Sequence, residues 1–411
     1  MSSTHCRCLN CITPPHLLEK LLESSDSRVR EAALKTLLAT ARLRGERSVR
    51  GFIAATAAAP SHGRRTVFDC ANGTFLPFAA VARTEDGPAS SDHAVNNAFD
   101  GLGATRDFYR EVHDRDSIDD RGMRLDAYVH RGIHYNNAFW DGREMVFGDG
   151  DGVIFTDFTR SLDVIAHELA HGVTEFTAGL EYHNQSGALN ESMSDVFGSL
   201  VKQWSLNQTA DQADWLIGAD IFTPGIDADA LRSMKAPGKA YDNPTFGKDP
   251  QPDHMSKYVN LPDTDEGDNG GVHINSGIPN KAFYLAATDI GGPAWEAPGH
   301  IWYEALKASN IRTEFQEFAD TTYAKAGQLY GIDSMEQQAV LSAWKEVGIR
   351  ISGVRTVAAA ATRWRRAPVA AARYGREDDS AAALTRQIET LSAQITVLTK
   401  DMAGLKGKAR H

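Results

Sequence analysis

From Leu162 onward the apolar positions recur at helical spacing, and six stretches read as helices: 162–175, 188–204, 273–290, 299–309, 313–329 and 334–347. Upstream of Leu162 the period is mostly two. Thr66-Val-Phe-Asp-Cys70 and Leu125-Asp-Ala-Tyr-Val-His130 alternate as strands do, and Met145-Val-Phe147 runs into the tight loop Gly148-Asp-Gly-Asp-Gly152. Only Ala94 to Val112 interrupts this region with a helical pattern. A β-rich part followed by an α-rich part predicts an α+β arrangement with a cleft where the two lobes meet.

Both ends of the chain follow different rules. Pro14-Pro15 opens a short helical run with Leu17, Leu18, Leu21 and Leu22 on one stripe. Ser24-Ser-Asp-Ser27 offers cap chemistry for a second helix, along which Val29, Ala33, Leu34, Leu37, Leu38 and Ala41 recur at helical spacing. Two such helices cannot bury these leucines alone, so they are expected to dock on the body. Arg44 to Arg50 and the Ala-rich stretch Ala54 to Pro60 read as an exposed linker open to proteolysis. Near the other end, Leu384, Ile388, Leu391, Ile395, Leu398, Met402 and Leu405 keep a heptad register. That helix either self-associates or packs on the body. The expected boundaries are a leader over 1–50, a linker over 51–65, a β-rich lobe over 66–165 and an α-helical lobe over 166–350. An Ala/Arg-rich linker over 351–383 and a heptad helix over 384–405 follow.

Charge sharpens this division. The net −11 of the 411 residues is the sum of +6 over residues 1–65, +7 over 350–411 and −24 between them. An acidic body argues against nucleic acid as a partner and gives the basic flanks a reason to lie on it. No apolar run approaches the roughly 20 residues that cross a bilayer, so no membrane partner is expected. Met1 to Asn10 lacks the apolar core of a signal peptide, which predicts a cytoplasmic product as synthesised, with non-classical export as the remaining route. Cys6, Cys8, Cys11 and Cys70 make no disulfide framework.

The candidate chemistry sits in Asp163-Val-Ile-Ala-His-Glu-Leu-Ala-His171 and Asn190-Glu-Ser-Met-Ser-Asp195. His167 and His171, four apart, leave one face of a helix and together hold one Zn²⁺. Glu168 beside them is placed to hold a water as general base. Glu191 is the candidate third ligand. Asp195, four residues on, is placed to accept a ligand histidine's remaining ring N–H.

These segments resemble the thermolysin family of neutral metallopeptidases, as do Asp268-Asn-Gly-Gly-Val-His-Ile-Asn-Ser-Gly277, Tyr135-Asn-Asn-Ala-Phe-Trp140 and Gly148-Asp-Gly-Asp-Gly152. The likeness spans roughly residues 66–350. It implies a two-lobed fold with the zinc site in the cleft and hydrolysis of protein or peptide substrates. It implies that His273, oriented by Asp268, and Tyr182 stabilise an oxyanion. Arg232 is implied to hold the carbonyl after the cut bond, and Asn137 and the Ala138 backbone the substrate main chain. Phe155, Val164, Ile217, Ile221 and Leu231 correspond to the family's pocket for the residue after that bond, so cleavage on the amino side of Leu, Phe, Ile or Val is expected. Taken one at a time, His273 also reads as a loop histidine, Tyr182 as a core aromatic and the five apolar positions as core.

Two departures stand out. Of five carboxylates that build a double calcium site in secreted members, only Asp163 and Asp214 remain; the other positions are Lys202, Leu216 and Ala219. That site is expected to be lost, with the Lys202 ammonium replacing a calcium beside Asp163. A weaker calcium site around Thr223 and Asp229 stays open. The short leader with Cys11-Ile-Thr-Pro-Pro-His-Leu-Leu18 resembles the protealysin subgroup and implies an inhibitory propeptide removed by autocleavage near residues 45–60. Cys6, Cys8 or Cys11 either offers a thiolate to the metal or is simply a free thiol. Two other readings compete: a zinc aminopeptidase, for which the usual Gly-x-Met-Glu-Asn strand is missing, and a non-catalytic interaction protein assembled through the heptad helix.

Overall fold

The structure, a computed structural model, describes residues 10–50 and 63–353. The chain divides after Val354 into two units. The second unit, with the expected 384–405 helix and most of the 351–383 linker, lies outside the described residues, as do Cys6, Cys8 and most of the 51–65 linker.

The leader contributes β1 (Asn10–Cys11), α1 (Pro15–Leu21) and α2 (Ser27–Arg50). The first lobe holds β2 (Arg65–Asp69), β3 (Ala80–Thr84), α3 (His93–His113), β4 (Leu125–Val129), β5 (Ala138–Trp140) and β6 (Met145–Phe147). Helix α4 (Leu162–Glu175) leads into the second lobe, with α5 (Asn184–Ser205) and the short ribbons β7 (Leu216–Ile217) with β8 (Arg232–Ser233) and β9 (Asp242–Asn243) with β10 (Gly247–Lys248). Helices α6 (Asp268–Asn275), α7 (Gly277–Ile290), α8 (Ala297–Ala308), α9 (Phe315–Tyr330) and α10 (Met335–Glu346) complete it.

The main sheet runs β1-β5-β6-β4-β2-β3. Strand β2 is parallel to β4 and β4 to β6, whereas β1 pairs antiparallel with β5. The body's own strands therefore end at β3 on one side and β5 on the other, and the leader covers β5. An open strand edge is a template for another extended segment. Behind β5, α4 packs closely along α5, because Gly198 lets the two approach. A Cβ there would fall 2.7 Å from Asp163 O and 3.3 Å from His167. Both helices are buried along nearly their whole length, which accounts for the sparse polar face of their sequences.

The docked face of the leader differs from the expected leucine stripe. Leu17, Leu18 and Leu21 are buried, but on α2 the buried face is Val29, Ala32, Ala33, Thr36 and Thr40, and Leu34 and Leu38 are exposed. Hydrogen bonding decides the rotation. Thr36 Oγ1 accepts from Asn136 N at 3.0 Å, and Thr40 Oγ1 lies 3.3 Å from Tyr135 OH. Helix α2 also continues through Arg44–Arg50, read from sequence as exposed linker.

One charge cluster of the first lobe centres on His130. His130 takes up a left-handed backbone (φ 54°) and places Nδ1 2.9 Å from Asp149 Oδ1 and Nε2 3.1 Å from Asp92 Oδ2. Asp92 caps α3 by accepting from Ala94 N at 2.7 Å. The hydrogen bond to Asp149 outweighs burial and lifts His130 to about 9. A raised folded pKa stabilises fully below the unfolded value of about 6.5, and the contribution is lost as pH rises through the folded value. His130→Gln is therefore expected to unfold at lower denaturant than the parent at about pH 6 and to match it above about pH 9. Equal deficits at both pH values would remove this account. Among the described residues no helix is long and apolar enough to cross a membrane.

Candidate active site

Helix α4 turns His167 and His171 to one side, and α5 brings Glu191 and Asp195 against them, all four fully buried. His167 Nε2 and His171 Nε2 stand 3.0 Å apart. The Glu191 carboxylate is 3.6 Å from the first and 3.4 Å from the second. The other ring nitrogens are committed elsewhere. His167 Nδ1 lies 2.8 Å from Asp195 Oδ1, and His171 Nδ1 lies 2.8 Å from Asn190 Oδ1 and 3.0 Å from Ser194 Oγ.

Both Nε2 lone pairs consequently face the same point. Burial holds His171 down to about 3, against the pull of Glu191, so its ring is neutral. Glu191 Oε2 is buried and accepts no hydrogen bond. Two imidazoles and a carboxylate converging at a buried point repel or stay unsatisfied unless a cation lies among them. These three residues are the metal-type cluster among the described residues, and two imidazole nitrogens with one carboxylate suit zinc.

Glu168 leaves α4 beside this cluster and is fully buried. Its Oε2 accepts from Trp140 N at 2.9 Å. Burial and the neighbouring Glu191 hold its pKa well above the ordinary carboxylate range. On the opposite wall His273 Nδ1 is 2.5 Å from Asp268 Oδ1, and Asp268 Oδ2 accepts from His273 N at 2.9 Å. The loop that achieves this is left-handed at Asn269, Gly270 and Gly271 (φ 49°, 84° and 79°). At Gly270 a Cβ would fall 2.2 Å from Asn184 Oδ1, so only glycine fits there. Burial opposes charge on His273, but Asp268 and Glu191 prevail and raise it to about 9. Tyr182 OH donates a short hydrogen bond to Glu191 and lies 3.3 Å from His273 Nε2.

Arg232, at the start of β8, is fully buried against Asp195, with Nε 2.8 Å from Oδ2 and Nη2 2.8 Å from Oδ1. Asn280 also donates to Asp195 Oδ2, at 2.8 Å. Burial disfavours the Asp195 carboxylate, yet Arg232 and His167 outweigh it and keep Asp195 ionised far below the usual range. Phe155, Val164, Ile217, Ile221 and Leu231 are all buried in one apolar cluster. The β7–β8 ribbon sets Ile217 opposite Arg232, and Leu231 N donates to Ile217 O at 3.0 Å.

The leader runs through this cleft. Ile12 N donates to Ala138 O at 3.2 Å, and Thr13 N to Asn137 Oδ1 at 3.0 Å. Arg232 Nη1 donates to Ile12 O at 3.1 Å, and His273 Nε2 lies 2.9 Å from Cys11 O. The buried Cys11 side chain belongs to an apolar cluster with Tyr128, Tyr135 and Phe139. For Cys11 this overturns the thiolate expectation: its carbonyl reaches His273, whereas its buried sulfur belongs to a separate apolar group and not to the metal-type cluster.

Residues 61–175 match the thermolysin metallopeptidase catalytic domain, and residues 178–349 match its alpha-helical domain. The chain belongs to the thermolysin family of metallopeptidases. Protease PrtS of Photorhabdus sp. (strain Az29) is 52% identical over 289 residues, which cover 70% of this chain and 76% of that protein. An extracellular metalloprotease of Pectobacterium carotovorum subsp. carotovorum is 45% identical over 83% of this chain and 96% of its own. The solved precursor of protealysin, a metalloproteinase from Serratia proteamaculans, superposes with a TM-score of 0.74 at 47% identity, covering 83% of this chain and 99% of that one. This chain is thus a metalloendopeptidase of the family in a precursor form, with a β-rich lobe and an α-helical lobe.

Sequence reasoning missed three participants. Asn190 and Ser194 flank Glu191 and Asp195 at helical spacing, so the helix period alone was signal enough to find them. Trp140 acts through its backbone N–H, which no side-chain motif announces.

Proposed function

We propose that the chain is a zinc-dependent endopeptidase held latent by its own leader, and that it cleaves on the amino side of hydrophobic residues. The supporting observation is the convergence of His167, His171 and Glu191 beside a buried Glu168 and an Asp268-backed His273. Zinc held by the three ligands would acidify a water and polarise the substrate carbonyl. Glu168 takes the water proton and returns it to the departing nitrogen. His273 and Tyr182 donate to the oxygen that gains charge. Arg232, Asn137 and the Ala138 carbonyl align the substrate main chain. Phe155, Val164, Ile217, Ile221 and Leu231 receive the side chain after the cut bond, with broad preference because one methylene changes such binding by only about 1–3 kcal/mol. Asp195 fixes His167 and Arg232 at once. The leader, lying on Ala138, Asn137, Arg232 and His273, inhibits by holding the contacts a substrate would use.

Calcium independence is part of the same reading. Lys202 Nζ lies 3.0 Å from Asp163 Oδ2 and 2.8 Å from Asp214 Oδ2, and these carboxylates outweigh burial to raise its pKa. An ammonium between the two acids takes the place of a divalent ion. Casein hydrolysis by the processed protein is expected to vanish on chelation and to return with zinc alone. Recovery only after added calcium would defeat the Lys202 account, and undiminished activity in chelator would defeat the metallopeptidase mechanism. The interaction-protein reading gains no observation here, because its heptad helix lies outside the described residues.

A further inference from the structure

We propose that Cys11–Ile12 is itself a scissile bond: the precursor cuts its own leader there, in cis, before any cut in the linker. The inference rests on the peptidase reading above and adds a site and an order of events to it.

Four backbone contacts fix the register. Strand β1 pairs with β5 so that Cys11 faces Phe139 and Asn10 faces Trp140. The Cys11 carbonyl oxygen lies 2.9 Å from His273 Nε2, the donor assigned to the oxyanion. The next carbonyl, of Ile12, takes Arg232 Nη1 at 3.1 Å, and the next amide, of Thr13, donates to Asn137 Oδ1 at 3.0 Å. The nitrogen of the Cys11–Ile12 bond, Ile12 N, donates to Ala138 O at 3.2 Å, and the Ile12 backbone lies close to the Glu168 carboxyl, whose Oε1 is buried without a hydrogen-bond partner. Ile12 is fully buried and is part of the body's main hydrophobic core, which also holds Phe155, Val164, Ile217, Ile221 and Leu231. A β-branched apolar side chain thus follows the bond that faces the base and the oxyanion donor. A leader that merely plugged the cleft would not need all of these matches at one peptide bond.

Hydrolysis there balances without any further reactant. A water oxygen bonds to the Cys11 carbonyl carbon while Glu168 takes its proton. The carbon–nitrogen bond then breaks, and Glu168 returns the proton to the Ile12 nitrogen. The second water proton follows from the new carboxyl group to the same nitrogen, so the products are a Cys11 carboxylate and an Ile12 ammonium. The chain after the bond stays anchored by Arg232, Asn137 and the buried α1 leucines, so the new amine is held next to the new carboxylate and resynthesis competes. The leader is therefore a slow substrate as well as an inhibitor. While it fills the cleft, no other segment of the same molecule reaches Glu168. The linker cut must then be made by a second, already opened molecule.

Zinc-loaded full-length precursor followed over a dilution series by intact mass and N-terminal sequencing tests this. A species beginning at Ile12 is expected first, with a rate constant independent of protein concentration, whereas linker-cut product should form faster at higher concentration. Ile12→Leu should keep the first cut and Ile12→Asp should abolish it. In the non-cleaving Glu168→Gln precursor, the Ile12 and Thr13 amides should be protected from hydrogen exchange, and Ile12→Asp should remove that protection. Absence of the Ile12 terminus from a preparation that hydrolyses casein overturns the inference and leaves the peptidase reading standing. An Ile12 terminus whose rate constant rises with concentration overturns the cis step, and unprotected amides overturn the register. Failure to hydrolyse any peptide after processing removes both readings.

Discussion

Glu168→Gln is expected to lower kcat/KM on a peptide substrate by about 10²–10⁴-fold, with metal content and folding unchanged. The carboxyl accepts from Trp140 N at 2.9 Å, and a glutamine oxygen can keep that bond. What the amide cannot do is take a proton. The native carboxylate takes the water proton and returns it to the departing nitrogen. The three metal-type residues are untouched by the change, so elemental analysis separates a lost base from a lost metal. The precursor of this variant should also keep its full mass indefinitely. A glutamine enzyme within tenfold of the parent would show that the base lies elsewhere.

His273→Ala should cost about 10²–10³-fold in kcat with little change in KM, because it removes a donor that matters mainly once charge develops on the carbonyl oxygen. The Asp268 carboxylate at 2.5 Å counters burial and keeps the ring protonated through neutrality. Donation is therefore present below the raised pKa, and kcat/KM of the parent should fall as pH rises through it. Asp268→Asn removes that supporting charge and should move the alkaline limb to lower pH. If the alanine variant raises KM and leaves kcat alone, His273 binds substrate uniformly and is no oxyanion donor. A limb that stays put in Asp268→Asn would assign it to another group.

The helical lobe was legible because α4, α5 and α7 to α10 bury continuous apolar faces at a fixed period, and their ends fell within a few residues of those read from sequence. Edge elements were not legible. Strand β1 has two residues and exists only because β5 offers an unpaired edge, and no local pattern encodes such a partner. The α2 face was misjudged for a related reason: the leucine period is local, whereas Thr36 and Thr40 answer to Asn136 and Tyr135 about a hundred residues away.

The sequence by itself determined which residues are chemically able to act. Four-residue spacings on two helices pair His167 with His171 and Glu191 with Asp195, and helix geometry makes each pair share a face whatever the rest of the chain does. Only the tertiary structure decided that the two faces meet, that Arg232 and His167 share Asp195, and that Cys11–Ile12 lies across the site. Those are contacts between segments remote in sequence, and a helical or strand period carries no information about which distant face or edge will be opposite it.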